Sequence, residues 1–154
     1  MCESDESGYA MTVNRLAEIL DEKGGHVLEI EGDATVLEAV QQMVEMNVGS
    51  LLVTDAGEVT GIVTERDYLR RVTLEDRTED APVREIMSSP LVVATLETSI
   101  DECMALMTDR RIRHVPVVEE GKVVGLVSIG DLVKFKSKLQ TFEIQFLNDY
   151  ITAG

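Results

Sequence analysis

Apolar residues along this chain switch between helical and strand spacing, and the switching happens twice in the same order. In "ATVLEAVQQMVEMN" (34–47), Val36, Val40, Met43 and Val44 fall on one helical face, as do Ile100, Cys103, Met104 and Met107 in "TSIDECMALMTDRR" (98–111). Thr35 with Glu38, and Ser99 with Glu102, predict a capping box at each helix start. Two β-branched runs follow each helix, "SLLVTDAGEVTGIVT" and "VPVVEEGKVVGLVS", and the Asp-Ala-Gly or Glu-Glu-Gly between them signals a hairpin. A second amphipathic helix is expected over 65–72 and over 130–138, and a short strand before each copy, "HVLEIE" (26–31) and "LVVAT" (91–95).

The two copies align at an offset of 64 residues without a gap. Glu38 meets Glu102, Met43 meets Met107, Val53 meets Val117, Gly57 meets Gly121, Gly61 meets Gly125 and Asp67 meets Asp131. The expected fold class is therefore α+β, with two pseudo-symmetric β-α-β-β-α motifs packed as one module. The rest reads as connection. A helix over 11–23 carries Val13, Leu16, Ile19 and Leu20 and ends at Gly24-Gly25; a charged linker spans 73–82; and a short helix over 83–90 leads into the second copy. The expected divisions are a tail and helix (1–25), a first motif (26–73), a linker with its short helix (74–90), a second motif (91–138) and a helical extension (139–154). That extension holds Leu139, Phe142, Ile144, Phe146, Leu147 and Ile151, more apolar surface than a solvated tail needs. It packs either against a partner chain or back on its own core.

Composition narrows the function. The 154 residues are 44% hydrophobic and 28% charged, with a formal net charge of −15, which fits a folded soluble chain and disfavours a binder of nucleic-acid backbone. No apolar run approaches the roughly 20 residues of a membrane span. The start, "MCESDESGYA", lacks the basic flank and apolar stretch of a secretory signal, so the expected location is the cytoplasm. Cys2 and Cys103 form no disulfide framework, and Cys103 reads as core. P-loop, G-x-G-x-x-G, G-x-S-x-G, H-E-x-x-H and C-x-x-C patterns are all missing, and His26 and His114 are the only histidines. No catalytic residue, metal site or required cofactor is expected.

The chemistry that remains is the phrase written twice, "GIVTERD" (61–67) and "GLVSIGD" (125–131). Thr64 and Ser128 sit where strand becomes helix, an N-cap position with free amides beside the positive end of the helix dipole. The aspartate three residues on, Asp67 or Asp131, offers two acceptor oxygens, a match to a vicinal diol such as a ribose. The same Ser/Thr-x-x-Asp spacing is also an ordinary capping box, and both readings stay open. "RRIRHVPVV" (110–118) puts Arg113 and His114 just before a buried strand; they are either phosphate-binding groups or a surface arginine and a capped histidine.

With these segments in order, the chain resembles a pair of CBS domains, also called a Bateman module, of the small stand-alone prokaryotic type. The resemblance covers about 27–136 and rests on "ATVLEAV", "GSLLVTDAGEVTGIVTERDYLRRV" and "RIRHVPVVEEGKVVGLVSIGDLVKF". It implies ligand clefts between two lobes, a homodimer, and adenosine ligands: AMP or ATP first, then ADP, NAD or S-adenosylmethionine. Asp67 and Asp131 would hold ribose, Thr64 and Ser128 ribose or phosphate. The backbone and side chains at Val48, Ser50, Ile112, Val115 and Pro116 would frame the base, Arg113 and His114 would line the phosphate path, and Thr35 and Thr95 would face the cleft. The first copy departs from the pattern, because Gly49-Ser50-Leu51-Leu52 stands where the second has Arg113-His114-Val115-Pro116. A phosphate there would lean on Arg66 or Arg70, or on the other lobe's Arg113, so a charged nucleotide is expected to prefer the Asp131 site and a neutral adenosine-like ligand to tolerate the first site better. The family reading is a non-catalytic sensor that signals to a regulated protein. The alternative is a ligand-free dimeric scaffold using its C-terminal helix.

Overall fold

The computed structural model describes residues 14–74, 79–89 and 91–153. They form two compact units: His26–Val93 is one, and residues up to Gly25 together with those from Ala94 onward are the other.

In the first of these, β1 (Glu29–Glu31) pairs parallel with β2 (Ser50–Asp55), and β2 pairs antiparallel with β3 (Glu58–Thr64), in the order β1-β2-β3. Between β1 and β2 runs helix α2 (Val36–Met46). Its start is fixed as expected, since Thr35 Oγ1 accepts from the Glu38 amide at 3.1 Å and Glu38 Oε1 accepts from the Thr35 amide at 2.8 Å. After β3 comes one turn of helix, α3 (Glu65–Asp67), which continues as wider π-type turns over Tyr68–Val72. The core gathers Val36, Ala39 and Met43 of α2, Leu51 and Val53 of β2 and Val63 of β3, with Val83 and Ile86.

The other unit repeats this arrangement with β4 (Ala94–Thr95), α4 (Ile100–Arg110), β5 (His114–Glu119), β6 (Lys122–Ser128) and α5 (Ile129–Ala153). Backbone irregularities recur at the same offset of 64. Both hairpins shift register, between Val53 and Thr54 and between Val117 and Val118. The left-handed residues Asn47 and Arg111, Ala56 and Glu120, and Gly57 and Gly121 match likewise. Positive φ at both turn residues gives the twist that a two-residue hairpin needs.

The segments expected as connectors are part of the cores. Helix α1 (Leu16–Lys23) buries Leu16, Ile19 and Leu20 in the core of the second copy, beside Cys103, Val117 and Leu132. Val83 and Ile86, which precede the second copy, are buried in the first. The backbone bonds match pair by pair. Leu16 N–H donates to Thr98 O (2.9 Å) as Val83 N–H does to Ala34 O (2.7 Å), and Ile100 N–H donates to Asn14 O as Val36 N–H does to Ala81 O (both 2.9 Å). Each docking segment thus serves the copy that it does not adjoin on its C-terminal side.

Two expectations come out differently. The 83–90 helix is a single 3₁₀ turn, Val83–Glu85, and it packs on the first copy instead of leading into the second. The first strands are shorter than 26–31 and 91–95. For β4 the reason is Pro116: the bond from Leu52 N–H to Leu28 O in the first copy has its counterpart at Pro116, which has no N–H. The last helix runs on through the extension as its pattern allows: α5 is unbroken for 25 residues from the end of β6. Residues 11–13, 75–78, 90 and Cys2 lie outside the described residues, as do the side chains of Phe142, Phe146 and Ile151.

Candidate binding site

The expected site residues of the second copy gather where β5 begins and β6 ends. His114 and Ser128 are opposite partners in the antiparallel ladder, and the Ile129 amide donates to Arg113 O at 2.9 Å, so the start of β5 is tied to the start of α5. Asp131 folds back on the cap: Ser128 N–H donates to Asp131 Oδ2 at 2.8 Å, and Asp131 N–H donates to Ser128 Oγ at 3.1 Å. Arg113 is exposed, and His114 and Ile112 are half-buried. Val115 is fully buried in the core, so it offers a ligand only its backbone. Pro116 is buried as well.

The first copy builds the same corner. Ser50 is opposite Thr64, and the Glu65 amide donates to Gly49 O at 3.1 Å. Asp67 Oδ2 accepts from the Thr64 amide (3.0 Å) and hydroxyl (3.2 Å), while Thr64 Oγ1 accepts from the Asp67 amide at 3.1 Å. Arg66 is exposed and Val48 half-buried. Val48 also lines an open groove of about 590 Å³ beside Val40, Val44, Tyr68 and Leu69, in which Val44 (75% exposed) and Leu69 (62%) are uncovered.

Thr35 and Thr95 are placed differently from this corner and from each other. Thr35 caps α2 and is matched by Ser99, the cap of α4. Thr95 lies opposite Val118, four residues along β5 from His114, or about 13 Å at strand rise. Its hydroxyl is 3.3 Å from that of Thr98.

The docking segments add residues that the sequence alone did not single out. Lys23, in the last turn of α1, donates from Nζ to Asp131 Oδ2 at 2.6 Å and to Leu126 O at 2.7 Å. In the first copy Ser88 takes that place, its amide donating to Ile62 O (2.8 Å) and its hydroxyl to Asp67 Oδ1 (3.3 Å). Ile62 and Leu126 are equivalent positions, so one pair of acceptors is met by a neutral serine in one unit and by an ammonium in the other. Sequence offered no signal for this, because the partners lie 108 and 21 residues apart. Desolvation pushes the Asp131 carboxyl up, but the hydrogen bond from Lys23 and that from the Ser128 amide outweigh it and hold it below its ordinary value. Burial alone pushes the Cys103 thiol up to about 11, in keeping with a core cysteine. Among the described residues no cluster of His, Cys, Asp and Glu could hold a metal ion.

The family model for the CBS domain matches residues 16–74 and again 83–138. The chain belongs to the CBS-domain family. Each match begins at the docked segment, Leu16 or Val83, in agreement with the burial of both segments. Among relatives, the CBS domain-containing protein CBSX3, mitochondrial, of Arabidopsis thaliana is 39% identical over 160 residues, covering 97% of this chain and 77% of that protein. A solved CBS domain, NE2398, superposes with a TM-score of 0.77 at 42% identity, covering 81% of this chain and 98% of the other. A putative signal-transduction protein with CBS domains from Burkholderia ambifaria MC40-6 gives 0.76 at 43%, covering 79% and 92%. The CBS domain pair of MJ0100, solved with 5′-methylthioadenosine and S-adenosyl-L-methionine, shares the fold at 22% identity, with a TM-score of 0.72 and coverage of 82% and 98%.

Proposed function

We propose that this CBS pair is a non-catalytic regulatory module that binds adenosine-containing ligands at Asp131 and at Asp67, AMP or ATP before NAD or S-adenosylmethionine, and signals their level to a partner protein in the cytoplasm. The observation that supports this most is the open oxygen of Asp131. The cap and Lys23 both use Oδ2, and Oδ1 has no partner among the described residues, so the carboxylate keeps an acceptor for a ribose hydroxyl. The same corner is built twice, and a fold relative carries two adenosine compounds. Uncovered Val44 and Leu69, with Ile144 and Leu147 on α5, favour self-association as a homodimer. Among the described residues no helix is long and apolar enough to cross a membrane.

A second reading, a ligand-free scaffold, draws on the capping bonds themselves, since both aspartates already have a structural task. A melting panel with AMP, ADP, ATP, NAD and S-adenosylmethionine separates the two. A ligand at about 100 times its Kd stabilises the fold by roughly 2.7 kcal/mol, which raises Tm by about 5 to 10 °C at this size. The scaffold reading predicts no shift with any of them.

A further inference from the structure

We infer that Lys23 is the charge-selecting residue of the Asp131 site: its ammonium makes that site favour an anionic, phosphorylated adenosine ligand over a neutral one, while the Asp67 site, served by Ser88, lacks this preference. The inference rests on the proposed adenosine binding and adds to it a residue from outside the second motif's own sheet and helices.

The argument starts from the matched acceptors. Leu126 O and Asp131 in one unit correspond to Ile62 O and Asp67 in the other. Lys23 Nζ satisfies the first pair alone, at 2.7 and 2.6 Å, whereas the amide and hydroxyl of Ser88 satisfy the second. A carboxylate that holds a ribose repels the phosphate attached to it. Beside Asp131 that negative charge is cancelled at contact distance, and among the described residues no lysine or arginine nitrogen pairs with Asp67. In a chain of net charge −15 the general field also opposes an anion, so a local cation decides the matter.

Lys23 is held for this role. Gly24 ends α1 at positive φ, and Glu22 in the same turn receives Lys138 Nζ at 2.9 Å, which ties the end of α1 to α5. The Lys23 side chain is still 38% exposed, so its ammonium remains accessible to the phosphate of a bound ligand. An added unit charge about 6 Å away, at an effective dielectric of about 40, changes binding by about tenfold.

The test is a titration of the ¹⁵N-labelled full chain with AMP and with adenosine, following the Ser128 and Asp131 amides for one site and the Thr64 and Asp67 amides for the other. AMP should bind tighter than adenosine at Ser128 and Asp131. Lys23→Met should lower that AMP-to-adenosine ratio about tenfold, Lys23→Arg should keep it, and neither should change the ratio at Thr64 and Asp67. A ratio at Ser128 and Asp131 that Lys23→Met leaves unchanged, or that falls equally at both sites, overturns the inference while the binding reading stands. If neither ligand moves any of the four amides in the wild type, both fall together. The dispersion of the Lys23→Met spectrum reports directly that the variant is folded.

Discussion

Lys23 and Asp131 form an ion pair of 2.6 Å across 108 residues of sequence, and it joins the segment ahead of the first CBS motif to the aspartate corner of the second. The pair shows how this chain is assembled. Each motif is completed by a segment that the sequence places before the other one, and that segment brings a polar group to the motif's aspartate.

The pair sets the acid response of Asp131. Its carboxyl titrates below the ordinary value, so its stabilisation is complete above the unfolded pKa, about 3.9, and is lost as pH falls through the folded value. Lys23→Met should move the Asp131 titration upward in a carbon-detected NMR pH series. The two side chains are 38% and 26% exposed, so the variant should lose less than about 1 kcal/mol at pH 7 in urea unfolding, and the two proteins should converge once Asp131 is protonated. An Asp131 titration unmoved by the substitution would show that the pair does not persist in solution.

Gly61 and Gly125 hold the docking segments at closest approach, with different tolerance. A Cβ at Gly61 would meet Met87 Sδ at 2.6 Å and the backbone oxygen of Ser88 at 2.8 Å, whereas at Gly125 the three nearest atoms are all of the Leu20 side chain, Cδ1 and Cδ2 at 2.7 Å and Cγ at 3.3 Å. A side-chain end can turn away and a hydrogen-bonded backbone cannot. Gly61→Ala should cost about 1–3 kcal/mol in chemical denaturation, and Gly125→Ala should cost less. Equal costs would mean that Ser88 is not held against β3.

The docking segments should also be separable by local stability. Leu16→Ala removes a fully buried side chain and should cost about 2–5 kcal/mol. Hydrogen exchange should then quicken in α4 and β5 more than in α2 and β2, and Ile86→Ala should show the opposite pattern. A uniform rise in exchange for both variants would contradict the assignment of each segment to one core.

How much of this was legible in the sequence depends on the kind of contact. The offset of 64 carried the hairpins, the caps at Thr35 and Ser99 and the Thr64/Asp67 and Ser128/Asp131 corners, because short-range spacing determines all of them. The docking segments follow a different offset, 67, as in Leu16 with Val83 and Ile19 with Ile86, so a search at 64 passes over them. Their apolar residues read as one side of a connector, and nothing local says which core they fill. Lys23 was hidden for the same reason: a lysine in a last helical turn before Gly-Gly has an ordinary local explanation. The short β4 was readable in principle from Pro116, but only once the parallel register was known.

The central claim is that the twice-built aspartate corner binds an adenosine ligand, and calorimetric titration of AMP into the wild type, Asp131→Ala and Asp67→Ala tests it most directly. The wild type should bind saturably, and Asp131→Ala should lose the binding at its own site while its circular dichroism spectrum stays that of the folded protein. AMP binding with unchanged affinity and stoichiometry in Asp131→Ala would contradict the account.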